Sequence, residues 1–367
     1  MYCQAKLLAL SGHIPEGVNT ITNLVHSQFP FDGKCSLPCF PFRLAHLITS
    51  SDMEATHEIL LAIKKLYTDD NTPTHVLQRC RIDFGTLEQI SLHAARKTKF
   101  GELPSRLEVV LLIWDLVERF DYEPNASLFE DIIQLFVRNK QHENSLSALV
   151  EMEERLEEKP SRDLIKSLAR EISSDSRRLN YVHNLVTWHR NKHFHSTGTL
   201  NAVMYGFGMM RNMDMAFKVY DSFQRLGIQT DDRTYSILLE SFNLSLREVG
   251  TAPKDDIFLA VQELLIDMDS AGVGRNKEFC NEYIRLLCAL DRLQDAAIEL
   301  EELGSHFGSR RKDGIPCGTV ITLVNRLLQS REFKRAHDVA RLGERVGCAD
   351  HVPLMIRKIR ERESRRT

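Results

Sequence analysis

Apolar residues recur along this chain at spacings of three and four, in paired runs separated by short polar breaks. The clearest example spans Gly198–Asp232, where Arg211-Asn212 divides two such runs. This spacing places side chains on one face of an α-helix. The segment therefore predicts a helix, a turn and a second helix, with apolar faces formed by Leu200, Val203, Met204 and Phe207 and then by Met215, Ala216, Val219, Tyr220 and Phe223.

The ends of these predicted helices carry capping residues. Gly227 follows the second helix, where a left-handed backbone favours glycine. Asp231-Asp232 supply a side-chain acceptor for the start of the next helix. The next copy ends in the same way, with Gly272 and then Asn276, after an inserted loop around residues 248–253.

Further copies of the helix pair follow at a period of about 35 residues. They span 278–303 and 318–350, and weaker copies span 127–155, 163–191 and 86–125. A small residue recurs where the two helices of a pair cross, because a larger one would push them apart. These small residues are Ser145, Ala216, Ala296 and Ala336, and Gly347 is the predicted cap of the last copy.

Repetition at this period predicts an all-α fold, an α-solenoid in which helix-turn-helix units of about 35 residues stack as a right-handed superhelix, like tetratricopeptide units. Three regions follow from the pattern: a degenerate helical cap at 1–85, a repeat array at 86–350 and a basic tail at 351–367. Within the cap, 42–50 and 52–67 predict one more pair, and 1–33 is irregular.

Composition and charge narrow the possible partners. No apolar run approaches the roughly 18 residues of a membrane span. The eight cysteines are scattered, which is typical of reduced thiols. From Ser305 onward there are 15 lysine and arginine residues against 7 acidic ones, so the body before it carries a net −11. A basic end would attract an anionic partner, although a solvated charged helix is an equally good interpretation.

The period and the segment ends together resemble the pentatricopeptide repeat family. The family's units end in Gly-hydrophobic-x-Pro-Asp, and this chain has Gly227-Ile228-Gln229-Thr230-Asp231, with Thr in place of Pro. Tyr122-Glu123-Pro124-Asn125 keeps the Pro, and an Asn stands four residues into the clearest copy. The tetratricopeptide repeat is the alternative, but its Trp and Gly-x-x-Tyr are not evident. The resemblance covers about 86–350.

This resemblance implies binding of single-stranded RNA along the first helices, with one base read per repeat by two side chains. The implied reading pairs are Asn201 with Asp231 and Ser236 with Asn276. Asn281 would pair with a residue near Asp313 or Pro316. Arg233 occupies the position whose side chain would stack on a base.

Other copies depart from the family's reading pattern. The corresponding pairs are Glu130 with Ser161, Lys166 with Ser196 and Ile321 with His351. We therefore expect any RNA contact to be short, or electrostatic through the basic tail. The alternative is a helical scaffold that binds protein partners without reading RNA.

No motif in the sequence predicts catalysis. It has no Gly-rich phosphate loop, no Gly-x-Ser-x-Gly, no His-Glu-x-x-His and no zinc deaminase signature. Cys35, Cys39 and His46 lie in a Pro-rich loop with no second ligand pair, so zinc is not expected. His189, His193 and His195 stand near Trp188 at a predicted helix end, where they are expected to act as caps. We expect a non-enzymatic protein without cofactor or metal.

The family resemblance also implies a cellular setting. Its members act mainly in mitochondria or plastids, in transcript processing, stability or translation, so we expect a mitochondrial protein that acts on RNA and docks on protein partners or the ribosome. Met1–Thr20 lacks the Arg-rich pattern of a transit peptide, which favours either removal of a targeting segment or a cytoplasmic protein.

Overall fold

The computed structural model describes residues 84–95, 103–246, 254–307, 317–345 and 348–364, with isolated positions between 57 and 82. The described residues are almost entirely helical, and they form two compact units, Met1–Glu171 and Ile172–Thr367. The predicted irregular cap, the loop with Cys35 and Cys39, the insertion at 248–253 and Gly347 lie outside the described residues.

The first unit contains α1 (Phe84–Ala95), α2 (Leu103–Arg119), α3 (Ala126–Arg138), α4 (His142–Leu156) and α5 (Arg162–Ile172), which crosses its border. The second contains α6 (Ser176–Thr187), a 3-10 turn (Lys192–Phe194), α7 (Thr197–Met209), α8 (Met213–Leu226), α9 (Asp232–Leu246), α10 (Lys254–Ser270), α11 (Lys277–Ala289), α12 (Leu293–Phe307), α13 (Cys317–Gln329), α14 (Phe333–Arg345), a 3-10 turn (Ala349–His351) and α15 (Val352–Ser364).

The clearest sequence repeat forms the predicted helix pair, α7 and α8. Ser196 and Thr199 cap α7 reciprocally, and Asn212 accepts from the Met215 N–H at the start of α8. Gly227 ends α8 with φ 73°, and Gly272 has φ 66°. The glycine caps predicted at these two positions are confirmed.

Four helix pairs share one turn geometry. Each turn holds a left-handed residue at φ 59° to 63°, and the next residue's N–H donates 2.9 Å to a carbonyl five residues earlier. This bond satisfies a carbonyl that the end of the first helix leaves open. The left-handed residues are Lys140, Arg211, Asp291 and Arg331. A shared turn at recurring positions confirms the all-α repeat architecture.

The small residues predicted at the helix crossings are buried. Ser145, Ala216, Ala296 and Ala336 are all 0% exposed. In the second unit, each first helix packs on its own partner helix and on the next first helix, so α7, α9, α11, α13 and α15 are successive neighbours. This row positions the candidate reading residues near the N-terminal ends of consecutive helices.

The segment predicted as a basic tail begins with an ordered helix, α15. Val352, Met355 and Ile359 are buried, and α15 packs against both α13 and α14. It thus occupies the position of a further first helix. Among the described residues, no helix is both long and apolar enough to cross a membrane.

Candidate nucleic-acid interface

The predicted pair Asn201 and Asp231 is brought together. Asn201 lies in the first turns of α7, and its Nδ2 donates to Asp231 Oδ1 at 3.4 Å. The same Asp231 oxygen accepts from the Thr234 N–H at 2.8 Å and thereby caps α9. Asn201 is 2% exposed, and its Oδ1 is buried without a hydrogen-bond donor. The amide is therefore held on one side and unsatisfied on the other.

The predicted pair Ser236 and Asn276 is connected only through Asp232. Ser236 is 2% exposed and its hydroxyl donates 2.8 Å to the Asp232 carbonyl. Asn276 accepts from the Phe279 N–H at 2.7 Å, which caps α11, and its Nδ2 donates to the Asp232 carboxylate. Both side chains have structural partners.

Asn281 and Arg233 are half-buried. The Thr319 hydroxyl of α13 donates to Asn281 Oδ1, while Asn281 Nδ2 donates to Glu282 at 3.3 Å. Its predicted partner near residues 313 to 316 lies outside the described residues. Arg233 Nη1 is buried without a hydrogen-bond acceptor. One nitrogen of the guanidinium is thus buried instead of standing free in solvent.

A close approach of α7 and α9, which the sequence analysis missed, fixes the spacing of these residues. A Cβ added at Gly208 would lie 2.0 Å from Ser241 Oγ and 2.5 Å from Ser241 Cβ. Tyr205 donates to Glu240 at 2.9 Å, also between α7 and α9. Only a glycine fits this approach, and a glycine interrupting an apolar helical run is the signal for it.

Charged groups extend along the other first helices. Glu282 is 4% exposed and accepts from Asn243 at 3.1 Å and from Arg285 at 3.3 Å. Lys358 of α15 donates to Asn325 of α13 at 2.7 Å on an exposed surface. The basic end of the chain therefore continues the row of first helices.

Buried titratable groups lie beside this row. Burial raises the pKa of Cys280 and of Cys288 to about 12. Burial also raises the pKa of Glu299, which is opposed by Arg275 at 3.6 Å. The described cysteines, Cys280, Cys288, Cys317 and Cys348, are free thiols.

The pairs that lack the reading pattern are placed differently. Glu130 accepts from the backbone N–H of Ser161 at 3.1 Å, so its carboxylate is the hydrogen-bond acceptor for a backbone N–H just before α5. Ser196 is the N-cap of α7, and His351 is exposed in a 3-10 turn. The repeat register thus brings side chains to matching positions whether or not they suit a base.

His195 confirms the predicted capping at the end of α6. Its Nε2 lies 3.0 Å from the Trp188 carbonyl, and burial lowers its pKa, with that carbonyl opposing the shift. Within the described parts of the chain, no group of three or more His, Cys, Asp or Glu side chains is arranged to hold a metal ion.

Three solved structures of the pentatricopeptide repeat protein PPR10 are similar to this chain. A cysteine-to-serine variant in complex with an 18-nucleotide psaJ RNA element has 11% identity and a TM-score of 0.38, covering 94% of this chain and 60% of that chain. A second complex with that element has 16% identity and a TM-score of 0.30, covering 92% and 52%. PPR10 from maize has 15% identity and a TM-score of 0.28, covering 98% and 65%. This chain spans less than two thirds of each.

No curated protein matches the sequence. The model of the PPR repeat family matches residues 195–243, which contain α7, α8 and most of α9. This match covers the sequence repeat with the clearest caps and the pair Asn201 and Asp231, and it confirms the resemblance found in the sequence. Residues 195–243 are therefore identified as a segment of the PPR repeat family.

Proposed function

We propose that this protein binds single-stranded RNA on its row of first helices, with the Asn201 and Asp231 pair as the base-contacting centre. The proposal is supported by the family match over residues 195–243 and by the side chains that the repeat register places there. Amide and carboxylate groups can hydrogen-bond to the Watson–Crick edges of an unstacked base.

The carrying observation is the unsatisfied oxygen of Asn201. A buried amide oxygen without a donor is destabilising, and a ligand that supplies a donor removes this cost. A base with an N–H at its Watson–Crick edge is such a ligand. Because Asn201 is only 2% exposed, binding requires a small local opening between α7 and α9. The proposal therefore predicts that RNA binding is coupled to movement of these two helices.

A direct test is competition between a single-stranded RNA library and heparin for the purified chain. We expect part of the RNA to stay bound at a heparin concentration that removes double-stranded RNA. Equal displacement of every nucleic acid would show electrostatic binding alone and would contradict base reading at Asn201. The retained binding should be lost in Asp231→Ala, which removes the carboxylate of the pair, and kept in the control Asp163→Ala, which removes a carboxylate from α5.

Within cells, we propose a mitochondrial role in transcript processing, stability or translation, with the ribosome as a docking site. The support for this setting is the family match over residues 195–243. Imaging of the chain with a C-terminal tag, expressed from its own locus, tests the location. Uniform cytoplasmic or plastid signal would overturn the mitochondrial assignment and leave RNA binding itself open to the competition test.

A protein-binding scaffold is the second candidate, and the second helices α10 and α12 favour it. They expose Leu259, Ile266 and Ile298 at 55% to 66%, beside the carboxylates of Glu263 and Glu301. Arg292, the residue before α12, pairs with Asp255 of α10 at 2.9 Å, so the two helices begin near each other. Purification of partners before and after RNase treatment separates the candidates, since a scaffold keeps its partners and an RNA-tethered protein loses them.

A further inference from the structure

Near its beginning, the second unit contains a stretch without an acidic residue. From Ser176 to Met213 there is no Asp or Glu, while Arg177, Arg178, Arg190, Lys192 and Arg211 are basic. This stretch contrasts with the acidic body around it. A local excess of positive charge at the surface attracts anions.

Two exposed aromatic rings lie in this stretch, one on α6 and one on the residue that follows it. Tyr181 is 51% exposed and Trp188 is 56% exposed. Trp188 directly follows the last residue of α6, seven residues after Tyr181, which corresponds to a rise of about 10 Å along the helix axis. The exposed residues Arg177 and Asn184 lie on the same face of α6 as Tyr181, giving with Trp188 a stripe at spacings of four, three and four. Soluble proteins expose large aromatic rings in this way mainly where they bind a partner.

The exposed tryptophan is held in place by the turn that follows α6. The Asn191 amide donates to the Leu185 carbonyl at 3.1 Å, and the Asn191 N–H donates to the Trp188 carbonyl at 2.9 Å. His195 Nε2 lies 3.0 Å from that carbonyl, and Phe194 is buried. The ring is therefore presented by a fixed backbone, with the exposed Arg190 and Lys192 beside it.

We propose that this α6 face is a second contact surface for single-stranded RNA, separate from the reading positions of α7, α9 and α11. Bases stack on Trp188 and Tyr181, and phosphates lie against Arg177, Arg190 and Lys192. The choice of RNA as the ligand rests on the proposed function. Charge favours RNA over a protein partner here, because the exposed aliphatic residues of α10 and α12 stand among carboxylates and these rings stand among cations.

The chain provides its own probe of this surface. It contains two tryptophans, and Trp114 packs against Phe129 at 4.8 Å between ring centroids. In a Trp114→Phe background, emission comes from Trp188 alone. We expect titration with oligouridylate to quench this emission through base stacking, and heparin, which has no bases, to leave it unchanged.

Variants then measure the contribution to affinity. We expect Trp188→Ala to weaken oligouridylate binding about tenfold, within the range measured for loss of a stacked base, and Trp188→Phe to restore most of it. The matched control is Leu259→Ala, which removes an exposed apolar side chain from α10. Unchanged thermal melting of each variant shows that the fold is retained.

The possible outcomes separate the two proposals. If oligouridylate binds with unchanged affinity to Trp188→Ala and causes no quenching, the α6 surface is overturned and RNA binding by the first helices stands. If no single-stranded RNA binds to the unmodified chain, both fail. If Trp188→Ala instead loses a protein partner after RNase treatment while RNA affinity is kept, the face is a protein contact and the proposal is wrong.

Discussion

The helix pairs α3–α4 and α7–α8 share one turn geometry, but the side chain at one equivalent position has a different role in each pair. Their turns both place a left-handed residue at φ 59° and both form a closing N–H to carbonyl bond of 2.9 Å. Glu130 occupies in α3 the position that Asn201 occupies in α7. Glu130 accepts from the Ser161 backbone at 3.1 Å, whereas the Asn201 oxygen has no donor.

This difference shows that two properties of a repeat position are independent: which side chains meet there, and whether they can bind a base. The register, which determines which side chains meet across neighbouring units, follows from helix length and the turn. The capacity to bind a base depends on whether the side chain at that register still has an unused donor or acceptor. Glu130 has used its oxygen to support its own fold, and Asn201 has not.

The largest expected difference between the two pairs is the loss of stability on substitution of Gly208. The equivalent residue of α3 is Val137, so a larger side chain is buried at this position of α3. At Gly208, a methyl group would clash with Ser241 at 2.0 Å. We expect Gly208→Ala to lower the free energy of unfolding by about 3 kcal/mol, the upper end for overpacking, in urea denaturation.

The control for that substitution is Gly274→Ala, because a Cβ at Gly274 meets nothing within 4 Å and the residue lies outside the helices. Its unfolding free energy should change by less than about 0.5 kcal/mol. Equal effects at the two glycines would show that α7 and α9 adjust freely, and the tight approach would then not constrain the reading positions.

A pH-dependent difference is expected next to Glu130. Burial raises the pKa of Asp131 to about 6, helped by Glu130 and Glu88 and opposed by Ser91. The folded chain therefore retains a proton that the unfolded chain loses near pH 4, so stability falls as pH rises from about 4 to 6. Asp131→Asn should be about 2 kcal/mol more stable than the natural chain at pH 7, a gap that closes below pH 4.

Urea denaturation across this pH range provides the measurement for Asp131. The equivalent position of α7 is Ala202, which has no titrating group and so predicts no such dependence in that repeat. A constant difference between Asp131→Asn and the natural chain from pH 4 to pH 7 would mean that Asp131 titrates normally despite its burial.

Replacing the side chain at the equivalent position of each pair tests this difference directly. Asn201→Leu keeps the branching of the side chain and removes an amide whose oxygen has no donor, so we expect folding to be retained and RNA affinity to fall about tenfold. Glu130→Leu removes the acceptor for Ser161, so we expect a stability loss of about 1 kcal/mol and unchanged RNA affinity. Filter binding and thermal melting of both variants report the two effects, and reversal of the pattern would reject the distinction.

The smallest effect is expected at Lys358 of α15. If it contacts a phosphate, Lys358→Ala should weaken RNA binding uniformly across sequences and reduce the dependence of log affinity on log salt by about one. Lys334→Ala, an exposed lysine on the second helix α14, is the matched control. Equal salt slopes for both variants would remove α15 from the binding surface.

Much of this fold follows from the sequence, because its determinants are local. The spacing of apolar residues and the glycines at 227 and 272 predict the helix pairs, and the small residues at 216, 296 and 336 predict the crossings. The resemblance likewise identifies the pairing of Asn201 with Asp231, since the period fixes which residues meet.

Exposure could not be predicted in the same way. That Asn201 and Ser236 are 2% exposed depends on how closely neighbouring first helices approach, and between α7 and α9 this approach involves Gly208 and Ser241, which lie in successive repeats. The helical state of residues 352–364 also depends on α13 and α14 as packing partners, so their charge alone suggested a tail.

Alkylation of the buried thiols beside the row of first helices can measure how often these helices separate from their neighbours. Cys280 precedes Asn281 on α11, is 3% exposed and has a pKa of about 12, so the packed thiol is inert to alkylating reagents at neutral pH. Alkylation at Cys280 must wait until α11 separates from α12, and its rate then reports how often that happens. The rate of thiol labelling thus measures how often packed helices of the stack separate, and this rate can be compared with and without RNA.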